Sequence, residues 1–303
     1  AKTVGKNLKM KRKNPILLLL IIILLIGCSN DDNVESNNNQ LLNVKRKYIK
    51  EILNPSAPDS YRDEFFEFDN GLMTKSWGYT AFLGSYKYDS SGKLITKTDS
   101  ENQFKYEYDN QNRIIKEIKT GTKDYIEIKY YDNKIITKRF YVFGGDFENG
   151  GGDVTEIKEL ELNDIGNIIK VTEISNVSRT RNGDRTFSYT EYEKYEYDDR
   201  GNIIKIISKH SEDNNETILE LTYDDKINPY YIALEKYYNI TYYLENFYSV
   251  QPYNWYGISP NNIVRIGSET ITYEYDQDDY PIKWNRYYGN GLSSGDFMIN
   301  YYE

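Results

Sequence analysis

The chain has a single cysteine and a single histidine, Cys28 and His210, among 303 residues. One cysteine cannot form a disulfide within the chain, and a zinc site needs three or four ligands of types that are nearly missing here. A Ser-His-Asp triad would need an oriented, partly buried histidine, whereas His210 lies in the charged run 209–216 and is interpreted as a solvated loop residue. We find no catalytic motif and predict a protein that is not an enzyme and has no cofactor.

Long apolar runs are also scarce, and the one present covers residues 16–26. It would make about 16 Å of helix, against a hydrocarbon core of about 30 Å, so it fits the apolar region of a signal peptide better than a membrane anchor. Leu25-Ile26-Gly27-Cys28 follows and resembles a lipobox. We therefore predict cleavage between Gly27 and Cys28, removal of the signal peptide 1–27, and attachment of lipid to Cys28.

Excess basic charge is absent as well. The formal net charge is −9, and it becomes −15 without residues 1–27, which hold six Lys or Arg and no acid. This charge disfavours nucleic acid and anionic lipid surfaces, so the predicted membrane contact is through the lipid on Cys28 alone. The polar, Asn-rich residues 28–42 predict a flexible tether before a single domain, 43–303.

Acidic residues directly after the cysteine resemble the surface-export signal of Bacteroidota lipoproteins, and an ordinary solvated spacer is the alternative. The predicted location is the outer membrane, lipid-anchored, at the cell surface.

Most of the remaining chain repeats one motif, in which tyrosine (32 residues in all) is prominent. Eight copies begin at Phe66, Tyr86, Tyr106, Lys129, Leu160, Tyr195, Leu221 and Tyr273. In the segment 106–109 aromatic and charged residues alternate as in a strand with two different faces, and the β-branched pair Ile114-Ile115 opens a second strand. Each copy therefore predicts a β-hairpin.

The turn of each copy has its own chemistry. An Asp side chain can accept hydrogen bonds from backbone N–H groups, and a glycine occupies the position that needs a positive φ. The predicted turn residues are Asp89, Asp109, Asp132, Asp198, Asp224, Asp276, Gly92 and Gly201. The resulting fold prediction is all-β: an antiparallel hairpin meander of about 14 to 16 strands. It forms an open or closed barrel-like sheet, soluble, with one short helix near residues 233–246.

The pattern Tyr-x-Tyr-Asp-x-x-Gly-x-Ile resembles the tyrosine–aspartate (RHS-type) repeat. The order of Tyr223–Tyr230, Asn261-Asn262-Ile263 and Tyr273–Ile282 is similar to that of Bacteroidota lipoproteins of unknown function with an open, porin-like β-barrel domain. The resemblance covers roughly residues 60–303, implies a barrel, and implies no activity. Its departures lie in the turns: Asn163 at the Asp position, and Ile227 and Asp279 at the Gly position.

Charged residues within the strands argue against a barrel that crosses the bilayer. A lysine at mid-bilayer costs about 2–4 kcal/mol. The strand Glu191–Tyr197 carries charge through its middle, and the second arms add Lys97, Lys116, Lys170 and Lys205. The sequence therefore favours a barrel outside the membrane.

Acidic pairs at the turns are one group of candidate site residues. Asp198, Asp199, Asp224 and Asp225 could chelate calcium, which takes six to eight oxygen ligands. A glycosidase pair, with carboxyls about 5–10 Å apart, is a further alternative. Because these acids recur at the turn position, our main interpretation is turn capping, and no metal site is predicted beyond the calcium alternative.

Aromatic side chains in residues 231–262 are the other group, because they fall outside the repeat register. Aromatic faces with polar tips suit sugar rings or protein hot spots. The candidate ligand-binding residues are Tyr237, Tyr238, Tyr253, Trp255 and Tyr256, and an internal plug or cap is the alternative role.

Two functions of different classes follow. The leading hypothesis is a surface-displayed lipoprotein that acts as a non-catalytic binding or scaffold module for a glycan or protein ligand. The alternative is a glycoside hydrolase or other hydrolase with a carboxylate pair in the barrel mouth.

Overall fold

A computed structural model describes residues 46–55, 63–78, 84–99, 102–143, 152–179, 187–209, 215–234 and 259–302. The strands are β1 (Ile49–Leu53), β2 (Glu64–Asp69), β3 (Leu72–Gly78), β4 (Gly84–Tyr88), β5 (Leu94–Asp99), β6 (Asn102–Tyr108), β7 (Ile114–Lys119), β8 (Tyr125–Tyr131), β9 (Lys134–Phe143), β10 (Gly152–Leu162), β11 (Ile168–Arg179), β12 (Phe187–Tyr197), β13 (Ile203–Lys209), β14 (Thr217–Ile227), β15 (Asn261–Ile266), β16 (Glu269–Tyr275), β17 (Pro281–Tyr287) and β18 (Ser293–Tyr301). One helix, α1 (Pro229–Leu234), lies between β14 and β15.

The strands form a closed barrel. Each strand pairs antiparallel with the next along the chain, and β1 pairs with both β18 and β2, which completes a ring of 18 strands. A closed ring leaves no unpaired strand edge for a second chain to extend. The prediction of an all-β antiparallel meander is confirmed, and the barrel is closed, with 18 strands where eight hairpins predicted about sixteen.

The predicted hairpin at residues 221–230 is wrong, because the chain leaves β14 into α1 instead of returning as a strand. The Asn228 side chain accepts a hydrogen bond from the Tyr230 N–H at 3.0 Å, which caps the helix, and Pro229 occupies its first position. The helix therefore begins four residues before the predicted start, and residues 235–246 of that prediction lie outside the described residues. The extra strands β1, β15 and β18 carry no copy of the Asp-containing turn.

The barrel has two different ends because its connections alternate. All the repeat turns lie at one end, which we call the turn end, and the connections between successive hairpins lie at the other, which we call the loop end. The chain also enters at the turn end, where the Lys47 ammonium is 2.6 Å from a carboxylate oxygen of Asp276 and 2.6 Å from one of Asp278.

The inner face of the barrel has two layers. Nearest the turns it is apolar and aromatic, with buried side chains such as Tyr106, Ile114 and Leu160 in one continuous cluster. Further along the same strands the inward positions carry charge. The buried charged residues at these inward positions are Lys97, Glu117, Glu156, Lys158 and Arg286. We call this second set the ionic layer.

The outer face carries opposite charges on neighbouring strands. Lys170 lies 2.7 Å from Glu161, Lys205 lies 2.9 Å from Glu196, and other Lys–Glu pairs cross at similar heights. Exposed pairs of this kind contribute about 0–1 kcal/mol in water, whereas single charges on a lipid face cost several times more. In the described part of the chain, no helix has the length and apolar character needed to span a bilayer.

Candidate functional site

The repeat aspartates are occupied by their own turns. One carboxylate oxygen of Asp198 accepts hydrogen bonds from the backbone N–H groups of Arg200 and Asn202, both at 2.9 Å. Asp89, Asp109 and Asp276 make the same pair of bonds at 2.8–3.1 Å, and Asp132 lies in the short turn between β8 and β9.

The residue at the glycine position has a positive φ in every turn of this type: 83° at Gly92 and 86° at Gly201, and 63° at both Asn112 and Asp279. The departure Asp279 thus keeps the turn geometry, because Asp and Asn tolerate this conformation better than other side chains.

Two of the calcium candidates already have hydrogen-bond donors on both oxygens. Asp224 accepts bonds from the backbone N–H groups of Lys226 at 2.9 Å and Asn262 at 3.2 Å, and a short one from the Tyr275 hydroxyl. Asp198 receives the Asn202 amide on its second oxygen at 2.9 Å. Asp199 and Asp225 are exposed. Among the residues that the structure describes, no three His, Cys, Asp or Glu side chains are grouped to hold a metal ion.

The tyrosine hydroxyls join neighbouring hairpins near the turn end. Tyr108 donates to the Leu94 carbonyl at 2.6 Å, and Tyr197 donates to the Ile168 carbonyl at 2.7 Å. The backbone ladder between β5 and β6 extends only from 96–99 to 102–105, so the hydroxyl bonds a carbonyl beyond its end. Burial raises the pKa of Tyr108 to about 12, which keeps this donor protonated. These tyrosines have a structural role.

The ionic layer is the main set of chemically versatile side chains that sequence reasoning missed. Glu156 accepts a hydrogen bond from the Tyr141 hydroxyl at 3.0 Å, and its other oxygen lies 3.9 Å from the Arg139 guanidinium. Lys158 lies 3.3 Å from Glu173 on the adjacent strand. Glu156 and Lys158 are 2% and 4% exposed. Burial raises the pKa of Glu156, although Arg139 opposes the change, and burial lowers the pKa of Lys158.

A signal for this layer exists in the sequence. Counting back in twos from Leu160 places Lys158 and Glu156 on the same face as the apolar repeat residue. The outer face of β10 is also charged, however, so alternation alone does not identify the inner face.

A cavity of about 10 Å³ lies within the ionic layer and is lined by Ile126, Thr137, Arg139, Glu156 and Lys158. This volume holds about one water molecule. Two inward carboxyls, those of Glu156 and Glu173, thus flank one lysine beside a space far smaller than a sugar ring. The arrangement suits a buried ion-pair network, and it could hold a water between an acid and a base.

The predicted ligand-binding residues Tyr237, Tyr238, Tyr253, Trp255 and Tyr256 lie outside the described residues, as do Gly27 and Cys28. The two ends of their segment are described, and both lie at the turn end. Asn228 donates through its backbone N–H to Pro260 at 2.9 Å and through its side chain to Ser259 at 2.7 Å. The fully buried Asn202 donates to the Asn261 side chain at 3.0 Å. Residues 228–260 therefore replace one repeat turn as an insertion with a rigid base.

Helix α1 follows this base into the barrel. The Tyr230 hydroxyl donates to a carboxylate oxygen of Glu64 on β2 at 2.9 Å, and the Tyr230 ring meets Phe66 edge-on at 6.4 Å between centroids. Ile232 packs with Ile227 and Tyr280, and Ala233 belongs to the main core. Burial raises the pKa of Glu64 to about 7, although the Tyr230 hydrogen bond opposes the change.

Comparison with known protein families finds the repeat that the sequence pattern indicates. Residues 88–123 match the RHS repeat. They cover the end of β4 through β7 and include the turns at Asp89 and Asp109. No curated protein matches the chain. Among solved structures, a porin-like protein from Bacteroides uniformis is similar, with 11% identity over 86% of this chain and 99% of that chain, at a TM-score of 0.30.

Proposed function

We propose that this chain is a lipoprotein, anchored in the outer membrane through lipid on Cys28 and displayed at the cell surface, where its barrel is a non-catalytic scaffold that binds a glycan or protein ligand. The observation that carries the proposal is the insertion 228–260, which interrupts a regular turn series and contains the aromatic residues that fall outside the repeat register.

The charged outer wall supports attachment by lipid instead of by the barrel. Cross-strand pairs such as Lys170–Glu161 and Lys205–Glu196 occupy the height at which a membrane barrel needs apolar side chains. A protein with such a wall reaches a membrane only through another element, and the lipobox-like segment before Cys28 would supply it.

Cys28→Ser tests the anchor. In cells fed radiolabelled palmitate, the wild-type chain should take up label and fractionate with membranes, while the variant should be unlabelled and uncleaved before residue 28. Equal labelling of the two chains would contradict lipid attachment at this residue.

Binding is tested with the full chain on glycan arrays and in pull-downs from host and bacterial extracts. We expect a ligand whose signal falls at least about tenfold, or ~1.4 kcal/mol, in Tyr253→Ala and Trp255→Ala. Phe65 and Trp77, stacked at 5.2 Å on the outer wall, offer a matched control, because Trp77→Ala removes an exposed aromatic residue elsewhere. No ligand, or equal loss in the control, would contradict binding by the insertion.

The hydrolase alternative rests on the two inward carboxyls of Glu156 and Glu173. If they act as acid and base, the wild-type chain should cleave an aryl glycoside or ester, and Glu156→Gln and Glu173→Gln should each lower the rate at least about 100-fold. Turnover that both variants retain would exclude these residues.

A further inference from the structure

Helix α1 is fixed at its base and contacts the barrel wall through a titratable residue, Glu64. The helix has one fixed base, where Asn228 is bonded to Ser259 and Pro260. Beyond this base, the Tyr230 hydroxyl donates to a carboxylate oxygen of Glu64 on the barrel wall at 2.9 Å. A short helix with a fixed base and a titratable contact near its start can be docked or released as a unit.

We propose that α1 is a pH-sensitive plug, docked against the wall while Glu64 is protonated and released when Glu64 is ionised. The proposal does not depend on lipid attachment or on ligand binding. It concerns helix α1 and the wall residue Glu64 alone.

The surroundings of Glu64 make its charge unfavourable in the docked state. Ile52 on β1 and Gly78 on β3 are the residues paired with Glu64, and neither of them carries a positive charge that could stabilise an ionised carboxylate. Asp63, the residue directly before β2, accepts a hydrogen bond from the Asn54 backbone N–H at 2.8 Å. The titratable group that α1 brings to Glu64 is the Tyr230 phenol, which supplies a hydrogen bond but no positive charge.

Tyr86 on β4 is the next titratable group along this wall, and its hydroxyl lies 3.4 Å from Ser76 on β3. It is also neutral at physiological pH. Among the residues that the structure describes, those facing Glu64 from β1, β3, β4 and α1 thus include no cation, and burial outweighs the hydrogen bond from Tyr230.

The direction of the pH effect follows from linkage. Released Glu64 would titrate near its ordinary value of 4.5, and docked Glu64 titrates at about 7. Docking is therefore fully favoured below pH 4.5 and weakens as the pH rises through 7. Because the pKa of Glu64 is 4.5 when α1 is released and about 7 when it is docked, the equilibrium constant for docking can fall by at most about 300-fold.

Hydrogen exchange of the full chain between pH 5 and 8.5 tests the proposal. After correction for intrinsic rates, protection of the Tyr230 and Ile232 amides should fall by up to about 70-fold over this range, while β2 amides stay protected. Glu64→Gln imitates the protonated acid and should abolish this dependence. Glu156→Gln removes a buried acid in the opposite wall and is the matched control: at the Tyr230 and Ile232 amides it should keep the pH dependence of wild type. Parallel profiles of wild type and Glu64→Gln would overturn the proposal.

Tyr230→Phe gives a second, independent result, which decides the matter if Glu64→Gln does not fold. Because the hydroxyl lowers the pKa of Glu64, its removal should move the midpoint of the transition to higher pH. A midpoint that stays in place or moves to lower pH would contradict the role given to this contact.

Discussion

Replacing Asp198 with alanine tests whether the repeat aspartate holds the turn. Its carboxylate accepts three bonds at 2.9 Å: two from backbone N–H groups and one from the Asn202 amide. Asn202 is fully buried and links this turn to Asn261 at the base of the insertion. At about 0.5–1.5 kcal/mol for each bond, Asp198→Ala should lower the free energy of unfolding by about 2–4 kcal/mol. The exposed contact with Arg200 adds little.

The chain contains a matched control at the equivalent turn position. Asn163 accepts the two backbone bonds, at 3.2 Å and 2.8 Å, so Asn163→Ala should cost about 1–3 kcal/mol and less than Asp198→Ala. Both variants are compared with wild type by guanidinium unfolding, followed by circular dichroism and tryptophan fluorescence at pH 7. A loss at Asp198 below about 0.5 kcal/mol, or no larger than the loss at Asn163, would refute the reasoning.

The pH dependence of the same variants gives an additional check. Burial opposes ionisation of Asp198, but the hydrogen bonds from Asn202 and Arg200 outweigh it, so its pKa lies below the ordinary 3.8. A lowered pKa stabilises the fold above the ordinary value and ceases to do so as the pH falls through the folded value. The difference between wild type and Asp198→Ala should therefore shrink in acid, and a difference that grows below pH 4 would contradict this account.

Three further predictions concern the barrel itself. Tyr197→Phe removes the bond to the Ile168 carbonyl and should cost about 1 kcal/mol in urea unfolding; no loss would mean that water replaces the hydroxyl. Gly201→Ala places a side chain on a residue with φ 86° and should lower the free energy of unfolding by about 1–2 kcal/mol. Gly201→Asn should lower it less, because Asn112 adopts φ 63° in the equivalent turn, and equal losses in the two variants would contradict this. Glu156→Gln should become increasingly more stable than wild type from pH 5 to 8, because a raised pKa makes the wild-type acid less favourable as the pH rises; a constant difference would argue against its burial.

The hairpins were predictable because each repeat carries all the information for its own turn. The Asp side chain, the positive-φ residue and the alternation before them act over ten residues, and no distant contact is required. Strand β1 could not be predicted in this way, because it carries no repeat motif and one of its two partners, β18, comes from the far end of the chain. The helix after Asn228 replaced a predicted strand because a local cap and Pro229 favour helix where the repeat lacks its glycine.

The ionic layer depends on the closed ring and not on any single hairpin. Lys158 and Glu173 are on separate strands of one hairpin, but Arg139 comes from the preceding hairpin, and all three become inward only when the ring closes. The repeat motif therefore encodes the turn end, where the carboxylates of Asp89, Asp109, Asp198 and Asp276 are engaged by backbone N–H groups of their own turns. The features that distinguish this barrel from a plain repeat are the charges at inward positions and the insertion 228–260. We therefore assign the proposed binding to the insertion and the proposed switch to the point where a charged inward position and the insertion meet, at Glu64 and Tyr230.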